Sequence, residues 1–362
     1  MTERQLIVRF LEALRELPGV HADLDQWEPA GSTGDRGHDA QIDLHVGGKS
    51  FILLIEAKKA VYPRDVRQVL WRFREASHGR PKGQGKEPLS LLVAESISPG
   101  AKELLRDERV GYYDSGGSLY LPAPGAYLYI DKPPPKTLAK SVRSLFSGRR
   151  AQVLHALLVQ HQDCQDWFGV KELAQQAMVS PATASQVLTE LERFDWLVSR
   201  GQGPSKERHL REPAALLDAW VKQIASIRPP NLRRYYVPAT KADTLLERVG
   251  EVFDAHDAAY AISHEAAAQR YAPFLSSVSQ VRTRLLIGSN ADAAIADLGA
   301  RVVNEGANLA IIEAKSPGEL LFREQVGGIW LASPVQVYLD LLRGEGRSKE
   351  MAEHLRKERI GF

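Results

Sequence analysis

Alternating apolar and polar positions predict a pair of strands in the first third of the chain. Between Asp39 and Val46 every second residue is apolar, as in a strand with one buried face. Gly47-Gly48 follows, and two glycines between strands are a hairpin signal. Residues 51–55 are then all apolar, which predicts a central strand buried on both faces, and this strand ends in Glu56-Ala57-Lys58. The pattern therefore predicts a hairpin with polar groups at one end.

The length of the hairpin loop determines which acidic residue lies beside Glu56. If Gly47-Gly48 form the whole loop, the numbers of paired residues sum to 95, and Asp39 opposes Glu56 on the same face. Asp43 then opposes Ile52. A loop longer by four residues would instead bring Asp43 opposite Glu56. The tight loop favours Asp39, and both aspartates remain candidates.

Two carboxylates and a lysine at the end of a buried strand predict chemistry on a phosphodiester. Neighbouring carboxylates repel each other unless a cation lies between them. Hard oxygen ligands of this kind suit Mg²⁺, and a nearby lysine can stabilise developing phosphate charge or position a water molecule. The candidate catalytic residues are Asp39, Asp43, Glu56 and Lys58, and the candidate metal ligands are Asp39, Asp43 and Glu56.

An acid on one strand and Glu-x-Lys at the end of the next resemble the PD-(D/E)xK nuclease superfamily. The resemblance covers about residues 1–131 and implies a restriction-endonuclease-like α/β/α sheet. It also implies a Mg²⁺-dependent DNA endonuclease where the site is active, and such folds often survive as inactive domains. Members often carry a glutamine on the following helix, which Gln68 could supply, but Arg72 stands where a tyrosine would follow. A first-helix glutamate is also common, but Glu12 and Glu16 both lie opposite the apolar stripe and neither is assigned.

A second apolar run, Leu309–Ile312, also ends in Glu-Ala-Lys, at residues 313–315. If a turn near Gly306 joined this strand to the preceding one in a hairpin, Glu313 would lie opposite a residue close to Gly299, where there is no acid. We therefore expect no carboxylate pair at this second copy.

Helical periodicity dominates the middle of the chain, with helices predicted at residues 151–159, 169–177 and about 181–194. Met178-Val179 is the turn between the second and third helices, and Ser180-Pro181 is a helix start. Two short strands then flank the Gly-rich segment 201–206. Three helices and a hairpin predict a winged helix-turn-helix, and the block resembles bacterial winged-helix transcriptional regulators.

In such a module the N-terminal turns of the third helix enter the major groove of DNA. The apolar side of this helix is expected to pack inward and consists of Val187, Leu188, Leu191 and Phe194. Small hydrogen-bonding residues are left outside, and basic residues on the wing and before the first helix would contact phosphates. The candidate DNA-binding residues are Thr183, Ser185, Gln186, Arg200, Lys206, Arg208, Arg149 and Arg150. A winged helix that contacts protein is the alternative.

Helix and strand patterns alternate in the last third of the chain and predict an α/β domain. The run from Ala332 to Leu341 resembles the AbiEi family, the antitoxins and transcriptional repressors of type IV toxin–antitoxin systems. With the winged helix the resemblance spans roughly residues 140–362. It implies double-stranded DNA and a cognate toxin or other protein as partners, and a homodimer is compatible with it. Ser263-His264-Glu265 lacks a nucleophile elbow, so we expect a helix-surface histidine there.

Two proline-containing breaks divide the chain into three blocks. Pro133–Pro135 and Arg228–Asn231 are unsuited to a helix or a central strand, so the predicted domains are residues 1–131, 136–228 and 231–362.

The whole chain has 47 Lys and Arg against 45 Asp and Glu, a net charge of +2. Positive charge is nevertheless concentrated in two segments. Residues 132–150 hold six basic residues and no acid, and residues 64–86 hold seven basic residues and two acids. Such local excesses favour nucleic-acid binding.

A single cysteine, Cys164, excludes an intramolecular disulfide and a cysteine-based zinc site. No apolar run approaches the ~20 residues needed to span a bilayer, and the charged first helix is unlike a signal peptide. We therefore expect a cytoplasmic protein without a membrane partner.

Together these patterns predict an α/β multidomain protein that binds DNA as a transcriptional regulator or antitoxin-like protein, with no cofactor needed for that role. The alternative is an active Mg²⁺-dependent DNA endonuclease that its winged helix targets. A protein-interaction scaffold is the third reading.

Overall fold

The computed structural model describes residues 1–27, 39–78, 87–163, 167–238 and 242–362. Over these residues the chain is mixed α/β, with thirteen α-helices and two seven-stranded sheets. Its internal contacts divide it into two compact units, of which the first comprises Met1–Val142 and Glu190–Asp195 and the second the remainder. The predicted α/β multidomain class is confirmed at this level, and the finer division at residues 131 and 228 stays a prediction.

The first unit is built on one sheet with helices on both faces. Its elements are α1 (Glu3–Arg15), β1 (Val20–Trp27), β2 (Ala40–Val46), β3 (Lys49–Val61), α2 (Pro63–His78), β4 (Glu87–Ile97), α3 (Pro99–Asp107), β5 (Gly111–Asp114), β6 (Leu119–Ala123) and β7 (Ala126–Ile130), followed by α4 (Lys136–Leu145), which extends across the boundary. The seven strands lie in the sheet in chain order. β3, β4 and β5 are parallel to one another, and the outer pairs are antiparallel.

The hairpin register that the tight loop predicts is confirmed. Val46 pairs with Lys49, and the ladder continues without a shift to Ala40 and Ile55. Gly47 and Gly48 both have positive φ, 59° and 72°, the conformation that a two-residue hairpin loop requires at both positions. A side chain at either position would be strained, so these glycines fix the loop length and hence the register.

β3 continues through Glu56-Ala57-Lys58 to Val61, so the predicted end of this strand at Glu56 is wrong. Two apolar layers explain why its residues 51–55 are all apolar. On one face α1 covers a core that includes Ile42, Leu53 and Ile55. On the other face Val66, Val69 and Phe73 of α2 pack with residues of β4. A strand between two helical layers has no solvent-facing side, so its residues are apolar at odd and even positions alike.

The second unit contains a helical part followed by a second sheet. Its helices are α5 (Gly148–Asp163), α6 (Val170–Gln176), α7 (Pro181–Arg193), α8 (Pro213–Ile224), α9 (Ala242–Ala255), α10 (His264–Tyr271), α11 (Ser289–Asp297), α12 (Pro334–Leu341) and α13 (Ser348–Leu355). Its strands are β8 (Phe168–Gly169), β9 (Leu197–Arg200), β10 (Glu207–Leu210), β11 (Leu232–Tyr236), β12 (Tyr260–Ser263), β13 (Val281–Leu286), β14 (Arg301–Val302), β15 (Leu309–Ala314), β16 (Glu324–Val326) and β17 (Ile329–Leu331).

The three predicted helices of the middle block are α5, α6 and α7, and the predicted turn lies between α6 and α7. Met178 adopts a left-handed conformation there, with φ of 51°. The Ser180 hydroxyl accepts a hydrogen bond from the Thr183 amide at 3.2 Å, which caps the start of α7. The predicted hairpin is β9 and β10, and the short β8 adds a third strand in the order β8-β10-β9. The sequence analysis did not predict β8.

The second seven-stranded sheet has the order β14-β11-β15-β13-β12-β17-β16. The expectation that the segment near Gly299 returns beside β15 is wrong, because β14 pairs with β11 and β11 lies between them. Among the described helices, none is both long and apolar enough to cross a bilayer.

Candidate functional site

Asp39 lies beside Glu56 at the end of the hairpin in the first unit. The amide of Asp39 donates a hydrogen bond to the Ile55 carbonyl at 2.6 Å, which extends the ladder by one residue beyond Ala40. The Oδ2 atom of Asp39 accepts a hydrogen bond from the Ala57 amide, also at 2.6 Å. These two bonds, to the residues before and after Glu56, hold the aspartate where the tight loop predicts it.

Glu56 is a buried carboxylate with two cationic partners. Its side chain is 2% exposed, and its Oε1 atom lies 2.7 Å from Nζ of Lys58 and 2.6 Å from Nη1 of Arg72. The side chains of Lys58 and Arg72 are 33% and 31% exposed. The carboxylate is therefore sealed from water, and both of its cations extend from it to the surface.

The position of Arg72 follows from the sequence of α2. Val66, Val69 and Phe73 repeat at helical spacing and are buried against the sheet. Arg72 lies between the last two of these residues along the chain, so it stands at the margin of the buried face and reaches Glu56. Gln68, the predicted site residue of this helix, is exposed. The sequence analysis noted Arg72 only as the absence of a tyrosine.

Asp39 lacks the charge compensation that Glu56 has. The pKa of Asp39 is raised to about 6, first by burial and then by the charge of Glu56, although the hydrogen bond from Ala57 and the charge of Lys58 act to lower it. The charge of Glu3 in α1 also raises this pKa. Glu3 is thus the first-helix glutamate whose charge acts on the site. The aspartate is an acid at which negative charge is unfavourable.

The structure does not bring Asp43 to this pair. Asp43 opposes Ile52 in β3 and Asp23 in β1. A strand rises about 3.3 Å per residue, so the separation of four positions between Asp39 and Asp43 corresponds to roughly 13 Å. Because the glycine loop fixes the register, Asp39 and not Asp43 lies opposite Glu56.

The pair does not fit a divalent ion in this arrangement. Asp39 and Glu56 supply two carboxylates, and Oε1 of Glu56 already binds two positive groups. In the described parts of the chain no cluster of three or more His, Cys, Asp or Glu side chains is arranged to hold a metal. A Mg²⁺ site would need further oxygen ligands and the displacement of at least one of the cations.

The helix α7, whose last residues from Glu190 belong to the first unit, presents one buried and one outer side. Val187, Leu188 and Leu191 are fully buried, as predicted. Phe194, predicted on the same side, is only partly buried and lies beyond the end of α7. On the outer side Gln186 is exposed, whereas Thr183 and Ser185 are partly exposed. The N-terminal turns of α7 therefore expose small hydroxyl side chains and one amide side chain to solvent, while the opposite side of the helix is apolar and buried.

The hairpin of β9 and β10 separates its predicted basic residues into different environments. Arg200 is exposed, lies over the Trp167 ring with its Cζ 4.4 Å from the ring centroid, and donates from Nε to Glu207 at 2.7 Å. Lys206 is partly exposed. Arg208 corrects the prediction, because it is only 4% exposed and a buried guanidinium cannot contact a phosphate on the surface. Trp167, an aromatic residue just before β8, carries no signal in the sequence that would mark it as part of this site.

The two arginines at the start of α5 also differ. Arg149 is exposed. Arg150 is partly buried, and its Nη1 donates to the Ser144 hydroxyl at 3.4 Å. Arg149 is thus available to a polyanion, and Arg150 is held within its own unit.

The Ser263-His264-Glu265 segment is buried rather than exposed, so the expectation of a helix-surface histidine is wrong. His264 is 8% exposed and begins α10 with φ of 54°. The hydroxyl of Ser263 donates to Asp340, which also accepts two hydrogen bonds from Arg284, at 2.6 and 3.0 Å. Ser263 is 0% exposed and its hydroxyl is bonded to Asp340, so it is closed to a substrate in this arrangement.

Three comparisons with known proteins gave no match. No protein-family model matches the chain, no curated protein is similar to it at the threshold applied, and no solved structure is either.

Proposed function

We propose that this protein is a DNA-binding regulator and that residues 136–228 form a winged helix-turn-helix on double-stranded DNA. The observation that carries the proposal is α7, whose apolar side is buried while its first turns present Thr183, Ser185 and Gln186. A helix displayed in this way has the dimensions and side chains for readout in the major groove.

The β9–β10 hairpin supports the same proposal. Arg200 is stacked on Trp167, which restricts its side chain before any ligand binds. Arg200, Lys206 and Arg149 would contact phosphates and set the position of α7 on the duplex. Arg208 has no part in this interface because it is buried.

For the other blocks we propose a restriction-endonuclease-like domain at residues 1–131 and an AbiEi-like domain at residues 231–362. The layered sheet of the first unit is compatible with the former. Most of α12 in the run from Ala332 to Leu341 is buried, which makes it a core segment. The resemblance to the AbiEi family implies that the regulator is a repressor that also binds a toxin or another protein.

Phosphate contacts can be tested by fluorescence anisotropy with a duplex from upstream of the coding sequence and with an unrelated duplex. Replacement of Arg149, Arg200 and Lys206 together by Ala is expected to weaken binding of both duplexes by roughly 10- to 100-fold. It should also reduce the slope of log affinity against log salt by about 2 to 3. The matched control replaces three exposed lysines of the second unit, Lys315, Lys349 and Lys357, by Ala. Equal effects in the two variants would contradict the proposed wing.

Base readout is tested separately with Gln186→Ala. This variant is expected to lose about 1 to 3 kcal/mol for the upstream duplex alone, because a base contact carries sequence information and a phosphate contact does not. A loss of the same size for the unrelated duplex would remove α7 from the readout.

A second candidate function is a Mg²⁺-dependent DNA endonuclease, favoured by the juxtaposition of Asp39, Glu56 and Lys58. Arg72 weighs against it because it binds the same carboxylate. Supercoiled plasmid incubated with Mg²⁺ or Mn²⁺ tests this candidate. If the wild type cuts the plasmid and both Glu56→Gln and Lys58→Met do not, the endonuclease function is established. If the wild type leaves the plasmid intact, the endonuclease candidate fails and the regulator remains the proposed function.

A further inference from the structure

The carboxylate pair of the first unit requires positive charge at short range. Asp39 and Glu56 are neighbours across two antiparallel strands, and Glu56 is buried. Two adjacent carboxylates can be neutralised by protonation, by a divalent ion or by a basic side chain. The chain supplies basic side chains next to this pair, so a divalent ion is not needed for its neutralisation.

Arg72 is a permanent and fixed cation. A guanidinium does not lose its proton in proteins, so its charge persists at every pH at which the protein is folded. Its helix is anchored by Val66, Val69 and Phe73, which are 3% exposed or less. The Nη1 atom of Arg72 donates to Oε1 of Glu56 at 2.6 Å, the length of a strong charge-assisted hydrogen bond.

Lys58 makes the same oxygen still less available. Its Nζ atom lies 2.7 Å from Oε1 of Glu56, so two positive groups bind one carboxylate oxygen. A divalent ion on that oxygen would lie close to both groups, and like charges at such distances repel by several kcal/mol even at an effective dielectric constant near 20. The ion would therefore have to displace Lys58 or Arg72 from the carboxylate.

We propose that Arg72, bound to Oε1 of Glu56, occupies the cation position beside Asp39 and keeps this site free of metal. The carboxylate site thereby carries a built-in cation. This inference concerns the first unit alone and does not depend on DNA binding by α7.

The test is a Mn²⁺ titration of the full chain, in which electron paramagnetic resonance reports free Mn²⁺. The wild type is expected to bind Mn²⁺ at this site with a dissociation constant no lower than about 1 mM. Arg72→Met is expected to bind one Mn²⁺ per chain at least about tenfold more tightly than the wild type, a difference of about 1.4 kcal/mol. The double variant Arg72→Met with Glu56→Gln should lose this gain, which assigns the new ion to the pair.

Two controls separate loss of the cation from other effects. Arg74→Met removes an arginine from the same helix, one that is 68% exposed and paired with Glu108, and it should gain no Mn²⁺. Arg72→Lys keeps a positive charge and should stay free of metal. Circular dichroism melting reports whether each variant is folded, and Arg72→Gln replaces Arg72→Met if the latter is not.

Either of two results would overturn the proposal. One is stoichiometric Mn²⁺ binding by the wild type that Glu56→Gln abolishes. The other is a folded Arg72→Met or Arg72→Gln chain that binds Mn²⁺ no more tightly than the wild type.

Discussion

The chain contains Glu-Ala-Lys twice, within β3 and at the end of β15, and the two copies have different surroundings. Glu56 is sealed from water, binds Lys58 and Arg72, and has Asp39 beside it. Glu313 is 15% exposed and lies 2.5 Å from Nε of Arg233, which belongs to β11. An identical tripeptide is therefore a carboxylate pair in one unit and an ordinary strand-end ion pair in the other.

The neighbouring strand makes this difference. β3 pairs with β2, the strand that directly precedes it, so Asp39 follows from the loop length. β15 pairs with β11 and β13, which come much earlier in the chain. Glu313 consequently pairs with Arg233 because the strand order of the sheet places β11 beside β15.

The largest expected difference between the copies is in stability. Glu56→Gln should lower the free energy of unfolding by about 2 kcal/mol, because a buried position loses the charge that satisfies Lys58 and Arg72. Glu313→Gln should cost about 0.5 kcal/mol, since its partner Arg233 is 56% exposed and exposed ion pairs contribute little. Urea unfolding followed by circular dichroism measures both, and equal losses would erase the distinction.

The next effect is a pH dependence confined to the first copy. An acid with a raised folded-state pKa keeps its proton in the folded protein after the unfolded chain has lost it. Stability due to Asp39 is therefore full below about pH 4, falls as pH rises from 3.8 to about 6, and is constant above that. After allowance for solvent screening the loss is about 1 to 2 kcal/mol.

Asp39→Asn tests this pH dependence, because asparagine retains an oxygen that accepts from the Ala57 amide. The stability of the variant relative to the wild type should increase between pH 4 and pH 6. Asp43→Asn controls for the same substitution in the same strand. A stability difference for Asp39→Asn that is independent of pH would show that Asp39 is not the group that titrates.

The smallest expected effect comes from the two lysines. Lys58→Met should cost at most about 1 kcal/mol, because Arg72 still neutralises Glu56 and Lys58 is itself one third exposed. Lys315→Met should change stability by less than about 0.5 kcal/mol, as is usual for an exposed residue. Thermal unfolding of both variants checks the order, and a greater loss at Lys315 would reverse the comparison.

Short-range patterns carried most of what could be predicted. Gly47 and Gly48 predicted the hairpin register and therefore the choice of Asp39 over Asp43. Two successive residues with positive φ form a two-residue loop, and a loop of that length allows only this register. The spacing of Val187, Leu188 and Leu191 gave the buried side of α7, because helical periodicity is a local property.

The missed features depend on contacts between segments that lie apart in the sequence. Arg72 and Glu56 are sixteen residues apart and meet only when α2 packs on the sheet. Arg208 looks like any basic residue of a hairpin in the sequence, but in the folded chain it is only 4% exposed. Trp167 became visible as the support of Arg200 only in three dimensions.

By itself the sequence determined the hairpin of β2 and β3, its register, and the turn between α6 and α7. These features depend on backbone conformation, periodicity and residue type, which act over a few residues. Only the tertiary structure decided which cations bind Glu56, which arginine of the β9–β10 hairpin is buried and which Glu-Ala-Lys has an acid beside it. Such contacts depend on the packing of helices and on strand order, which bring together charges that are far apart along the chain.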